Sequence, residues 1–207
     1  MTTLQSPSKP GVCGFAPLRL PLSLRLTPEQ FALVCAANPE AVLELDADGR
    51  LIPMTPTGGD TSARTIALTS LLWMAVRRGG LPLKVLESSG GFRLPEGSVR
   101  SPDAAVVRLE RWEALTPQQR RGFPPLCPDL VVELASPSDD LTALRSKMAA
   151  YRANGAALGW LLLPEERAVE IWRQGEDTPQ RIEPAIRLEA GELLPGLVLE
   201  LEEIWRA

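Results

Sequence analysis

The spacing of apolar and polar positions changes period several times along the chain, and each change marks an element. Residues 1–25 carry Pro, Ser and Leu with no helical period and are expected to form an irregular arm. At Thr27-Pro28-Glu29-Gln30 a helix start appears, with Thr27 as N-cap, proline at the first position and Gln30 closing a capping box. The helix "PEQFALVCAAN" ends near Asn38-Pro39, since a residue before proline is pushed out of the helical region. "AVLELDADGRLIPMTP" alternates on both sides of Asp48-Gly49, the signal for a hairpin. After the break at Gly58-Gly59-Asp60, apolar residues at 66, 68, 71, 72, 75 and 76 follow a helical period from Thr61 to Arg78, and Gly79-Gly80 stops it.

The second half alternates shorter elements. "PLKVLESSGGFRLPEGSVRSPDAAVVRL" reads as short strands separated by Gly and Pro-Glu-Gly turns, and "DLVVELA" as an apolar strand interrupted by one acid. "DLTALRSKMAAYRANG" is a helix stopped by Gly155, and "ALGWLLLPEERAVEIWR" a hairpin turning at Pro164–Arg167. The tail "GELLPGLVLELEEIWRA" reads as a short strand and a final amphipathic turn. This pattern predicts one α/β (α+β) domain over residues 26–207, with a mainly antiparallel or mixed sheet and a helix on each side.

Composition narrows the chemistry. The 207 residues, 44% hydrophobic and 23% charged, suit one globular domain with a sizeable core. A net charge of −4 supplies no global pull toward nucleic acid, although a local basic groove or a bound cation can offset it. There is no histidine, which removes Ser-His-Asp triads, Cys-His dyads and HExxH zinc helices together. Catalysis is left to carboxylates, Lys, Arg, Tyr, hydroxyls, thiols or a carboxylate-held metal. Cys13, Cys35 and Cys127 are odd in number and widely spaced, which suggests neither disulfides nor a thiolate zinc site and fits a reducing cytosol. No run of about eighteen apolar residues reads as a membrane span, and the N-terminal apolar stretch is broken by prolines and arginines, unlike a signal peptide.

Among the acids, Glu133 carries the most information. It interrupts "LVVELA", and a carboxylate inside a buried strand must be paired, hydrogen-bonded or bound to a cation; the bland alternative is a rim acid. Two Pro-Asp pairs precede apolar strands, at 102–103 and 128–129, and both are good turn chemistry. Asp129 and Glu133 share a strand face but lie roughly 13 Å apart at about 3.3 Å per residue. Magnesium needs ligands at about 2.1 Å, so they cannot share one ion. Asp103, on another strand, can stand beside Glu133, which makes those two the plausible chelating pair and leaves Asp129 as a turn into its strand. Glu44, alone, reads as a solvated strand acid. Lys147 flanks the stripe Leu141, Leu144, Met148 and Tyr151, where it either leans over the core edge or, more ordinarily, snorkels to solvent. Arg64, Arg77, Arg78, Arg100, Arg145 and Arg152 are scattered, as solvated surface arginines usually are.

From about Thr27 to about Trp205 the chain resembles the Uma-two type family of bacteria, endonuclease-like domains catalogued as of unknown function and placed in the PD-(D/E)xK nuclease superfamily. The resemblance rests on four strings in order: "NPEAVLELDADGRLIPMTPTGG", "SSGGFRLPEGSVRSPDAAVV", "CPDLVVELASPSDDLTALRSKMAAYRANGA" and "GWLLLPEERAVEIWR". It implies a restriction-endonuclease-like mixed β-sheet core flanked by helices, and hydrolysis of DNA phosphodiester bonds with Mg2+ or Mn2+. Asp103 would be the metal-holding motif aspartate and Glu133 the acid of the second half-motif. The motif lysine belongs two residues after that acid, where Ala135 stands. Lys147, within a Lys-x-x-x-Tyr string, would replace it from the following helix. Glu44 matches the acid expected before the core sheet and could hold a second ion or a water. The histidine that some relatives carry near residues 60–64 is missing. A catalytically inactive binding or assembly module of the same fold is the alternative, and hydrolysis of a small phosphate ester a third reading. A homodimer is expected by analogy with the superfamily and from five tryptophans and the Pro/Leu-rich arm.

Overall fold

The computed structural model describes residues 21, 23–54 and 56–207, so the arm expected over residues 1–25 lies almost wholly outside the described residues, as does Cys13. Helix α1 (Pro28–Ala37) starts as its capping string requires: the Thr27 hydroxyl accepts from the Gln30 amide at 3.3 Å and the Gln30 carboxamide accepts from the Thr27 amide at 2.9 Å. Strands β1 (Leu43–Leu45) and β2 (Leu51–Pro53) pair around Asp48-Gly49. Gly49 holds φ +78°, and a Cβ there would stand 2.6 Å from the Leu26 carbonyl, so the turn excludes other residues twice over. Helix α2 (Gly59–Gly79) begins two residues before the expected Thr61 and ends at left-handed Gly80.

The remaining elements are β3 (Leu83–Glu87), β4 (Phe92–Arg93), β5 (Val99–Arg100), β6 (Ala104–Arg108), α3 (Leu109–Glu113), α4 (Pro117–Arg121), β7 (Leu130–Leu134), α5 (Leu141–Ala153), β8 (Leu158–Leu163), β9 (Ala168–Arg173), β10 (Gln180–Ile182), β11 (Arg187–Glu189), β12 (Val198–Glu200) and α6 (Glu202–Arg206). The main sheet has six strands in the order β10-β9-β8-β7-β6-β3, antiparallel except for the β7–β8 pair that α5 connects. A four-stranded sheet, β2-β1-β5-β4, and the β11–β12 ribbon complete the mixed α+β architecture.

Both faces of the main sheet are covered, so its central strands are buried throughout. Leu130, Val132 and Leu134 of β7 and Trp160 and Leu162 of β8 pack on Leu68, Leu72 and Val76 of α2, joined by Ile204 and Trp205 of α6. On the opposite face Val131, Leu161 and Leu163 meet Met148 and Tyr151 of α5. Gly159 leaves room for the tip of the Met148 side chain: a Cβ there would lie 2.5 Å from Met148 Cε and 3.3 Å from Trp172 Cβ. Three of the five tryptophans, Trp160, Trp172 and Trp205, are therefore core, and only Trp73 is broadly exposed. Among the described residues Cys35 and Cys127 are free thiols, and no helix is long and apolar enough to cross a membrane.

The first Pro-Asp pair is where the chain changes sheets. β5 belongs to the four-stranded sheet and β6 to the main one, with Ser101, Pro102 and Asp103 between them. The second pair works differently from a simple turn. Asp129 is buried at a bend before β7, accepts from the Arg108 amide at 2.8 Å, and is ion-paired to Arg108 at 3.3 Å and Arg111 at 2.9 Å. Its charge is thus neutralised inside the chain.

Candidate active site

Two strand registers bring the acids together. In the β6–β7 ladder Ala104 faces Val132, so one step further along sets Asp103 opposite Glu133. Opposed residues share a sheet face with Cβ atoms about 5 Å apart. In the β1–β5 pair Leu45 faces Val99, and the next step sets Glu44 opposite Arg100. Because Ser101–Asp103 links the two sheets, both facing pairs open onto one cavity of about 850 Å3, between the α2 and α5 N-termini.

Lys147 enters from α5. Its ammonium lies 2.9 Å from Glu44 Oε1 and 2.9 Å from Glu133 Oε1, and donates to the Ser101 carbonyl at 3.3 Å. All three of its protons therefore have acceptors. One turn later the Tyr151 hydroxyl donates to the same Glu133 Oε1 at 3.1 Å. Glu44 also accepts from the Ser101 amide at 2.8 Å and from Arg100 at 3.1 Å. Asp103 Oδ2 accepts from the Leu134 amide at 2.7 Å. Among the described residues, Asp103 and Glu133 each keep one carboxylate oxygen without a hydrogen bond, and both residues line the cavity.

Four readings drawn from residues alone are corrected here, those of Glu44, Glu133, Lys147 and Arg100. Glu44 is 2% exposed, because the β1–β5 pairing covers it and Arg100 neutralises it; it is not a solvated strand acid. Glu133 is 3% exposed and is not a rim acid. Lys147 does not snorkel, since two buried carboxylates hold its ammonium inside. Nor is Arg100 a solvated surface arginine. Arg145, whose guanidinium forks onto Glu170 with contacts down to 2.6 Å, ties α5 to β9. The residues that sequence reasoning passed over are Arg100, as a partner of Glu44, and Tyr151, as a donor to Glu133. The Lys-x-x-x-Tyr spacing, one helical turn, was the available signal for Tyr151. Nothing local marks Arg100, because its partner lies 56 residues away.

The electrostatics are unbalanced. Three carboxylates, Glu44, Asp103 and Glu133, share the site with two cations, Arg100 and Lys147, leaving one negative charge in excess. The imbalance falls on Glu133: burial, with the charges of Asp103 and Glu44, pushes its carboxyl up to about 8, against the pull of Lys147. Burial likewise raises Asp103 above the ordinary range, against the Leu134 amide and Lys147. Burial acts on Glu44 too, but Lys147, the Ser101 amide and Arg100 outweigh it, so Glu44 lies below the ordinary range and stays ionised. Burial works against the charge on Lys147, yet Glu133 and Glu44 hold it well above the usual ammonium value. Burial and the Glu133 charge keep the Tyr151 phenol protonated, as a donor. Among the described residues no group of three or more Asp, Glu, Cys or His side chains is arranged to hold a metal ion. What fits one is a pair of facing carboxylates, each with an uncommitted oxygen, in a cluster that carries one negative charge more than its cations balance once all three acids are ionised. Hard divalent cations take oxygen ligands and retain waters in such sites.

A mixed sheet between helices, with facing acids and a lysine at the joint of two sheets, is the architecture of a nuclease-type domain. The chain belongs to the Uma2 family, described as "Putative restriction endonuclease", which matches residues 28–202. It is also similar to a crystal structure of "a putative nuclease belonging to DUF820" from Anabaena variabilis ATCC 29413, with a TM-score of 0.69, 19% identity, and coverage of 87% of this chain and 98% of that one. No curated protein matches the chain.

Proposed function

We propose that the protein is a metal-dependent endonuclease that hydrolyses DNA phosphodiester bonds. The observation that carries this reading is the half-buried Lys147 ammonium shared by Glu44 and Glu133 beside Asp103, in a cavity open to solvent. Membership of a family described as restriction endonucleases supports it. The uncommitted oxygens of Asp103 and Glu133 would hold Mg2+ or Mn2+, which supplies Lewis acidity toward a phosphate oxygen and a water of lowered pKa.

The chain's own groups have separable tasks. The Leu134 amide orients Asp103, and Lys147 with Tyr151 fixes one oxygen of Glu133, so both carboxylates are aimed before a ligand arrives. Glu44, kept ionised by Arg100 and the Ser101 amide, holds the ammonium at the cavity. As negative charge grows on the phosphate, Lys147 exchanges one of its three acceptors for that oxygen or for the attacking water.

A second reading, a binding module without turnover, is favoured by the same saturation of Lys147 and by Ala135 at the motif-lysine position. Plasmid nicking with Mg2+ and Mn2+ separates the two, comparing the native chain with Asp103→Ala, Glu133→Gln and Lys147→Met. Metal-dependent nicking by the native chain, lost in all three variants, is the expected result. Equal background in all four samples would put the binding module first.

A further inference from the structure

The first turn of α2 opens onto the same cavity as the carboxylates, through Gly58, Gly59, Asp60 and Thr61. The N-cap, Gly58, has no side chain to cap the helix, and the first α-helical bond runs from the Ser62 amide to the Gly58 carbonyl at 3.0 Å. The amides of Gly59, Asp60 and Thr61 thus have no partner among the described residues, at the positive end of a 21-residue helix. Neither glycine is there for conformation or packing. Gly58 has φ −67°, open to any residue, and a Cβ on either glycine would meet nothing within 4 Å. Their effect is to leave the amide edges bare.

Thr61 is an independent observation. It is 7% exposed and lines the cavity, and its hydroxyl makes no hydrogen bond among the described residues. Thr65 and Thr69, further along the same helix, each donate to the carbonyl four residues back at 2.9 Å. Thr61 stands at the third helical position, where the carbonyl four residues back belongs to Thr57, outside the helix, so its hydroxyl lacks that local partner and is left uncommitted at the cavity. Of the surrounding acids, Glu44 is paired with Lys147 and Arg100, Asp139 and Asp140 are turned to the Ser136 and Thr142 amides, and Asp60 is exposed at the rim.

We infer that the first turn of α2 is a phosphate-binding subsite, formed by the Gly59, Asp60 and Thr61 amides and the Thr61 hydroxyl. It takes a second backbone phosphate of the nucleic acid strand whose scissile phosphate lies at the carboxylates. The identity of the ligand rests on the nuclease reading; the anion chemistry rests on the helix terminus and Thr61 alone.

Amide resonances of the 15N-labelled protein test this. They are followed through separate titrations with Mg2+, with inorganic phosphate (with and without Mg2+), and with a short phosphorothioate oligonucleotide in Mg2+, against chloride at matched ionic strength. Saturable shifts of Gly59, Asp60 and Thr61 with phosphate and oligonucleotide, and none with chloride, are expected. Gly59→Glu, an acid at the favourable end of the helix dipole with space for its side chain, folds and loses those shifts. Thr61→Val, which deletes only the hydroxyl, folds and binds the oligonucleotide about tenfold more weakly. Shifts with phosphate but not with oligonucleotide would mark an adventitious ion only and overturn the subsite. So would no shift at 59–61 under any condition, even where Mg2+ moves residues 103 and 133 and the nuclease reading stands. If the oligonucleotide moves 59–61 while Mg2+ leaves 103 and 133 unmoved, the subsite holds and the metal reading fails.

Discussion

Binding of Mg2+ is expected to expel a proton, and the source of that proton is Glu133. Below about pH 8 the metal-free site keeps this carboxyl protonated, because burial and two neighbouring acids oppose its charge. A divalent ion needs the carboxylate, so binding and deprotonation are one event. With a carboxyl at about 8, binding at pH 7 releases about 0.9 proton per ion, and apparent affinity is about tenfold weaker than its plateau above pH 9. At pH 6 the deficit grows to about a hundredfold. Glu44 contributes nothing to this count, since Lys147, the Ser101 amide and Arg100 already keep it ionised. Isothermal titration calorimetry in two buffers of different ionisation enthalpy counts the protons directly. Glu133→Gln should abolish the release along with most of the affinity. Measurable Mg2+ binding at pH 7 with no proton released, or release that survives in Glu133→Gln, would refute both the assignment of the ligand and the charge accounting behind it.

The same carboxyl makes the metal-free fold pH-sensitive. Between its ordinary 4.5 and about 8 the unfolded chain ionises Glu133 while the folded chain keeps the proton, so stability falls as pH rises through that window and levels off above it. Glu133→Gln removes the dependence, and urea unfolding at pH 5 and pH 9 in EDTA should show the variant gaining on the native chain at the higher pH, by roughly 4 kcal/mol. Tyr151→Phe deletes a buried donor to Glu133 Oε1; a loss of about 1–2 kcal/mol in urea unfolding at pH 9 is expected, and a neutral result would mean the hydroxyl does nothing for the carboxylate. Gly159→Val forces Met148 and Trp172 apart, lowering stability by about 1–3 kcal/mol and weakening Mg2+ binding through displacement of α5; an unchanged Mg2+ affinity would show that α5 does not set the site.

Local signals carried most of the architecture. The Thr27–Gln30 box, Asp48-Gly49, Gly80 and Gly155 each act within four residues, so the chain alone marks where α1, the first hairpin, α2 and α5 begin or end. The same kind of signal at Thr116-Pro117-Gln118-Gln119 caps α4 with a second complete capping box, and went unread because only five residues follow it as helix. β10 and β11 escaped for another reason: Gln180–Ile182 and Arg187–Glu189 are mostly polar edge segments, defined by partners rather than by pattern. In the site, Asp103 opposite Glu133 was within reach because strand spacing excludes Asp129. The burial of Glu44 was not, since it depends on β1 pairing with β5 across some fifty residues of chain. A carboxylate's environment in this fold is a matter of which strands meet, and single-residue pattern holds no record of that.

Placing Lys147 on α5, after all three acids in the chain, has an effect on assembly. The chain emerges from its N-terminus, and Glu44, Asp103 and Glu133 are all made before residue 147. Strands β1, β5, β6 and β7 cannot close over three carboxylates with Arg100 as their sole counter-charge without keeping protons on the acids or admitting water. Packing of α5 on the sheet through Met148 and Tyr151 brings in the missing cation. Neutralisation of the acid cluster and packing of α5 on the sheet are therefore one contact. A nascent or clipped chain that ends before α5 carries every acid of the site and lacks the ammonium that lets them be buried.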